Sequence, residues 1–214
     1  RAQEKIVSRM EGRNVIKLVA ATNNAHKLKE FREILGDGFE IISLKEAGLE
    51  IEVEEDADTF YGNALKKASE VARITGLAAL SDDSGLLVDA LGGAPGVYSA
   101  RYSGCHATDE SNRKKLLYEM RGVSEMEKRG ASFHSSVVIC FPDGKTLCGE
   151  GDTRGTILFE ETGEGGFGYD NLFLSEDLGI SFGIATPEQK NSVSHRSRAL
   201  ADLREKLSGQ GYLV

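Results

Sequence analysis

The residues best suited to chemistry are Ser81-Asp82-Asp83-Ser84-Gly85. Two adjacent carboxylates stand between the apolar runs Leu77-Ala78-Ala79-Leu80 and Leu86-Leu87-Val88. Asp is a poor strand residue and is rarely buried unpaired, so the pattern predicts a strand that ends at Asp82-Asp83 and turns at Ser84-Gly85. Carboxylates at such a place suit a hard cation held by oxygen, or removal of a proton from water. Asp, Ser and Gly also make ordinary turns, and that reading stays open here.

A second group surrounds Thr22-Asn23-Asn24-Ala25-His26-Lys27. The apolar run Val15–Ala21 predicts a buried strand before it. Leu28, Phe31, Ile34 and Leu35 predict a helix after it, stopped by Gly36. A loop between strand and helix turns backbone N–H groups and the positive end of the helix dipole toward an anion. Lys27 adds a point charge. The Gly-x4-Gly-Lys-Ser/Thr pattern is missing, so this is no Walker A loop; an ordinary loop capped by Asn is the alternative.

A third group lies toward the C-terminus. Gly163, Gly165 and Gly168 match G-x-G-x-x-G, but Tyr169 to Leu174 do not open a helix, which rejects a dinucleotide site. The glycines instead let backbone approach a flat ligand, with Phe167 and Tyr169 available either for stacking or for the core. Thr186-Pro187-Glu188-Gln189 is a capping box with Pro at the first helical position, which places Lys190 about one turn into a helix. Ser194 caps the last helix, on which Ala199, Leu200, Leu203 and Leu207 form the buried face. His195 and Arg196 then stand at a helix N-terminus, where cations are disfavoured unless an anionic or acceptor-rich partner is near.

The elements that must position these groups follow from periodicity. Strands are expected at Phe39–Leu44, Phe133–Phe141, Lys145–Glu150 and Thr156–Phe159, and a helix from Phe60 to Thr75 capped by Asp58 or Thr59 and closed by Gly76. Another helix starts at Thr108-Asp109-Glu110. Glu50 to Asp58 is acidic: either a solvated loop, or the source of a carboxylate that joins Asp83 at a cation. With Val15–Ala21 and the strand before Asp82, this makes at least six strands and four or five helices in mixed order, hence an α/β fold on a mixed sheet. Residues 1–14 are charged and aperiodic and read as a tail outside the fold, with Met10 a candidate natural start; 15–214 reads as one domain.

Composition narrows the partners. The net charge of −8 argues against a nucleic-acid binder, though not against a small phosphate ligand at a local basic site. No apolar run is long enough to span a membrane, and no secretory segment follows the N-terminus. Cys105, Cys140 and Cys148 show no CxxC spacing, which disfavours zinc and points to reduced thiols in a cytoplasmic protein.

As a set, these blocks resemble the inosine triphosphate pyrophosphatase family. The resemblance covers about Lys17 to Leu207. It is carried by Ala21–Lys27, Ser81–Leu86, Leu91-Gly92-Gly93-Ala94-Pro95-Gly96-Val97-Tyr98-Ser99-Ala100-Arg101, Gly165–Asp170 and Ser194–Arg196. The resemblance implies Mg²⁺-dependent hydrolysis of non-standard purine nucleoside triphosphates, ITP, dITP and XTP, to the monophosphate and pyrophosphate. It implies a two-lobed α/β fold with a long central mixed β-sheet, a substrate cleft between the lobes, and a homodimer. Thr22, Asn23, Asn24, Ala25, His26, Lys27 and Lys190 would hold the triphosphate. Asp83 would be general base and, with Glu54, metal ligand. Ser84, Phe167, Gly168, Tyr169, Asp170, His195 and Arg196 would hold the nucleoside. Three positions depart from the family pattern: Gly62 where Glu is usual, Asn171 where Pro is usual, and Ile184 near the place of an acid. The competing class is a nucleotide sensor, which would keep the Gly-rich and His-Arg elements and would not need Asp82-Asp83.

Overall fold

The computed structural model describes residues 7–10 and 13–212. Among them, seven strands form one mixed sheet: β1 (Val7–Met10), β2 (Arg13–Ala20), β3 (Phe39–Ser43), β4 (Ala78–Val88), β5 (Gly130–Cys140), β6 (Thr146–Ile157) and β7 (Phe173–Ser175). The spatial order is β1-β2-β4-β5-β6-β7, with β3 also paired to β2. β2 runs parallel to β3 and β4, while β1–β2 and β6–β7 are antiparallel. The α-helices are α1 (Ala25–Leu35), α2 (Phe60–Thr75), α3 (Asp109–Glu119), α4 (Pro187–Val193) and α5 (His195–Gly209). No helix among the described residues is long and apolar enough to cross a membrane.

The chain divides into two compact units. Unit 1 comprises Arg1–Asp83, Ser136–Glu150 and Ala199–Val214. Its core follows from the two-residue period of β2. Leu18 and Ala20 pack with Phe31 and Leu35 of α1 and Leu200, Leu203 and Leu207 of α5. Val19 and Ala21 pack with Ala64, Ala68, Val71 and Ala72 of α2. Helices cover both faces, which is why β2 reads as an unbroken apolar run. Unit 2 comprises Ser84–Ser135 and Gly151–Arg198. Its core joins Leu86 and Val88 of β4, Leu116 and Met120 around α3, and an aromatic group of Phe133, Tyr169, Phe173 and Phe182.

Three expectations change. Of the tail expected over residues 1–14, Val7–Met10 is a strand, with Val7 opposite Ile16 and Met10 opposite Arg13. Pairing of this kind is a backbone property, and a charged sequence conceals it. Residues 1–6, 11 and 12 lie outside the described residues.

β4 does not end at Asp82-Asp83 but runs through them to Val88. Its pairing with β2 covers Ala78–Leu80, before the acids, and its other neighbour in the sheet is β5.

The strands expected at Lys145–Glu150 and Thr156–Phe159 are one strand, β6. Gly149, Gly151, Thr153, Gly155 and Ile157 alternate inward, with Glu150, Asp152 and Arg154 outward. Gly149 and Gly155 look like breaks in sequence and are a packing requirement in space. A Cβ on Gly155 would lie 2.4 Å from the Phe173 ring and 2.5 Å from the Leu174 carbonyl oxygen.

Candidate active site

In unit 1, the loop after β2 is held by its own side chains. Asn24 caps α1: its Oδ1 accepts from the N–H groups of His26 (2.9 Å) and Lys27 (3.2 Å). Thr22 Oγ1 accepts from the Asn24 N–H, and the Asn23 amide donates to the Ile51 carbonyl. The helix terminus is there as expected, but two amides that would face an anion are already engaged by the cap. Lys27, expected to offer a point charge to the triphosphate, is paired within the protein: its Nζ lies 2.9 Å from Asp82 Oδ1, with the side chains 17% and 0% exposed.

The two acids of β4 have different partners. Successive strand residues point to opposite faces, and Asp82 meets Lys27 of α1 while Asp83 meets Asn63 of α2. Asn63 is fully buried. Its amide nitrogen donates to Asp83 Oδ2 at 3.0 Å, and its Oδ1 accepts from the Ala57 N–H at 2.9 Å. One turn along α2, Lys67 Nζ donates to the Asp82 carbonyl oxygen at 2.8 Å and pairs with Glu55. Asn63 and Lys67 share one helix face at i, i+4 spacing.

Burial pushes the Asp83 carboxyl above the ordinary carboxylate value. The charge of Lys67 opposes that rise, Glu55 adds to it, and Lys27 and the Asn63 hydrogen bond oppose it. The result is a carboxylate oriented by one amide, more basic than a solvated Asp, and within the field of two lysines.

The acidic stretch contributes Glu55 to this field, while Glu54 is exposed. Gly62, the departure in α2, has a local reason. A Cβ there would come within 2.9 Å of Ala57 Cβ and Thr59 Oγ1, because the loop before α2 folds against it.

In unit 2, the Gly-rich loop carries a second constellation around Phe167. Asp170 is buried; its Oδ2 accepts from the Phe167 N–H (2.9 Å) and lies 2.8 Å from Lys190 Nζ. The ammonium of Lys190 sits 4.5 Å from the centre of the Phe167 ring, and the Arg196 guanidinium 6.0 Å from it. Lys190, expected on a triphosphate, is therefore paired with Asp170 and stacked on an aromatic ring.

Arg196, at the start of α5, is 1% exposed and donates to Ser84 Oγ at 3.0 Å. His195 stacks on Phe133 with centroids 4.9 Å apart. Ser194 Oγ accepts from the Ser197 N–H and caps α5 as expected. Tyr169 is not a surface for stacking: it is buried in the unit 2 core and its hydroxyl donates to the Ser99 carbonyl at 2.8 Å. Burial raises its pKa well above the ordinary phenol value, which keeps it a donor. Asn171, where proline was expected, ties the loop together: its side-chain nitrogen donates to the Gly163 carbonyl. Ile184 is exposed.

Unit 1 thus gathers Lys27, Glu55, Asn63, Lys67, Asp82 and Asp83, and unit 2 gathers Ser84, Phe167, Asp170, Lys190 and Arg196. Asn63, Lys67 and Glu55 were not singled out in the sequence. Lys67 reads as the solvated side of an amphipathic helix; the available signal was its i, i+4 spacing from an Asn on the same face.

Fold and side chains together define a class: an α/β protein on a mixed sheet, with a lysine–carboxylate group inside a central strand and an aromatic Gly-rich loop beside a buried arginine. The chain belongs to the Ham1 family, whose family model matches residues 18–206. It is similar to a dITP/XTP pyrophosphatase of Geobacter sulfurreducens, 52% identical over 196 residues that cover 91% of this chain and 98% of the relative. A dITP/XTP pyrophosphatase of Haemophilus influenzae is 45% identical, covering 89% and 98%. Among solved structures, a HAM1 protein from Coxiella burnetii superposes with TM-score 0.81 at 37% identity, covering 90% of this chain and 98% of that one.

Two predictions follow from the unit 1 geometry. Lys27→Met leaves Asp82 buried without its cation and is expected to cost about 3–5 kcal/mol of stability in urea unfolding. The double variant Lys27→Met/Asp82→Asn removes both charges and should recover much of that loss; no recovery would mean the pair is not what matters.

The second concerns pH. The folded pKa of Asp83 is raised, so its contribution to stability is present below the unfolded pKa and is lost as pH rises through the folded pKa. Asp83→Asn has no such dependence. Measured with chelator present, the stability of Asp83→Asn relative to the unaltered protein should therefore increase from pH 4 to pH 7. A constant difference would contradict the raised pKa.

Proposed function

We propose that this protein is a nucleoside-triphosphate pyrophosphatase that hydrolyses dITP, XTP and ITP to the monophosphate and pyrophosphate. The observation that carries the reading is Asp83: a buried carboxylate raised toward basicity, oriented by Asn63 and set among lysines. The activity for which the relatives are named, dITP/XTP pyrophosphatase, supports it.

In the reaction, Asp83 takes a proton from water as the water oxygen bonds to the α-phosphorus. The bond from that phosphorus to the α–β bridging oxygen breaks, and its electron pair leaves with pyrophosphate. Lys27 and Lys67 offset the charge that builds on the phosphate oxygens. No enzyme nucleophile is required.

The donor chemistry of the residues fits Mg²⁺. A hard cation is commonly held by one or two carboxylates together with substrate phosphates, and a cation relieves the cost of burying Asp83 as an anion. Asp83 would hold it, with Glu54 of the acidic loop as second ligand. The bound ion would supply charge neutralisation of the triphosphate.

For the base, Arg196 offers donors only and His195 can donate. Hypoxanthine and xanthine present an oxygen at the 6-position, whereas adenine presents an amino group. Donors facing the adenine amino group would stay unpaired at about 1–3 kcal/mol each. In the same reading the protein acts in the cytoplasm as a homodimer.

The test is release of pyrophosphate from dITP, XTP and ATP with Mg²⁺. Turnover of the first two well above ATP is expected. Tight binding without turnover would favour a nucleotide sensor instead. Asp83→Asn should lose at least ~10²-fold in kcat, as removal of a general base requires; near-normal turnover would move the base elsewhere. Arg196→Ala should lower kcat/KM for ITP far more than for ATP. An unchanged ratio would make Arg196 general electrostatic support rather than the reader of the base.

A further inference from the structure

Helix α3 holds the loop that carries Phe167, and the grip is on the main chain of a single residue. Asp109, in the first turn of α3, accepts from the Gly168 N–H through Oδ2 at 2.7 Å. Arg113, one turn later, donates from Nη1 to the Gly168 carbonyl at 2.8 Å. Both polar groups of the Gly168 backbone thus end on one face of α3, at i, i+4 spacing. Arg113 also reaches back to the start of the loop, with its Nε 3.0 Å from Glu161 Oε2.

Asp109 is not needed to start the helix. Thr108 and Ser111 form a complete capping box of their own. The carboxylate is spent on Gly168 and not on its own helix end. The same helix secures another loop of unit 2: buried Asn112 donates to the Ala100 carbonyl at 3.0 Å and accepts from the Ser103 N–H at 2.8 Å.

Gly168 is the immediate neighbour of Phe167, and it adopts a left-handed φ of 61°. A glycine at such a turn has many alternative conformations, so an outside restraint on both its N–H and its C=O decides where the Phe167 ring stands.

We infer that Asp109 and Arg113 are positioning residues that set the Phe167–Gly168 backbone, and through it the affinity for the purine base. This rests on the proposed function. The two residues touch the loop, not the reacting phosphate, so their loss should act on recognition of the base and leave the chemical step alone.

The test compares Asp109→Ala, Asp109→Asn and Arg113→Met. For Asp109→Ala, loss of a charge-assisted hydrogen bond predicts a rise of about tenfold in KM for XTP with kcat within about twofold. Inhibition by inosine monophosphate should weaken in parallel, while inhibition by tripolyphosphate, which has no base, should not change. Asp109→Asn keeps an oxygen that can accept the Gly168 N–H and should restore most of the affinity. Arg113→Met should reproduce the Asp109→Ala pattern, and it carries the test if Asp109→Ala folds poorly. Amide hydrogen exchange across residues 165–169 should speed up in Asp109→Ala and Arg113→Met and not in Asp109→Asn.

Unchanged KM and exchange would overturn the inference, as would equal losses toward inosine monophosphate and tripolyphosphate. Unaltered protein that releases no pyrophosphate from XTP would overturn the proposed function instead; the exchange measurement then decides this inference by itself.

Discussion

Two carboxylates inside a central strand impose a condition on everything around them. A buried ionised carboxylate is tolerated only with a cation or with hydrogen-bond donors. Here each acid answers to a different face of the sheet. Asp82 takes the ammonium of Lys27 from α1, and Asp83 takes the amide of Asn63 from α2. Neither helix can shift without uncovering a charge. The geometry of the strand–loop–helix segment Thr22–Lys27, the seating of α2, and the fold of the loop at Ala57 are consequences of this requirement as much as of apolar packing.

The two acids are held differently, and that difference makes chemistry available. Asp82 is neutralised by a close lysine. Asp83 is oriented by the neutral amide of Asn63, and burial raises its pKa against the opposing charges of Lys67 and Lys27. Adjacent residues of one type thereby acquire separate roles: one anchors a helix, the other is left basic. The separation comes from the alternation of a β-strand, which sends neighbours into unlike surroundings.

Unit 2 solves a related problem with loops. A Gly-rich segment has little apolar side chain to pin it, so its backbone groups are pinned by polar side chains. Asp170 holds the Phe167 N–H, Asp109 and Arg113 hold Gly168, and Asn171 holds Gly163. Tyr169 adds an anchor in the core through Ser99. What stays half-exposed is the Phe167 ring, with the charges of Lys190 and Arg196 near its face.

Much of this was legible in the chain. The helix Phe60–Thr75 appears with its expected Thr59 cap and Gly76 stop, and α4 begins with its capping box, because caps are local hydrogen bonds between residues close in sequence. The mixed α/β sheet and the five motif blocks were likewise present in the apolar periods and in the residues themselves. Other features needed the third dimension. Val7–Met10 joins the sheet through the strand that directly follows it, whereas that β4 continues through Asp82-Asp83 and that β6 is one strand with glycines turned inward depend on neighbouring strands distant in sequence. So do the pairing of Lys27 with Asp82 and of Lys190 with Asp170, the burial of Tyr169, and the entry of Asn63 and Lys67 beside the acids. A sequence states which side chains carry charge; Coulomb and hydrogen-bond energies depend on a few ångströms of separation, and only the tertiary structure sets those distances.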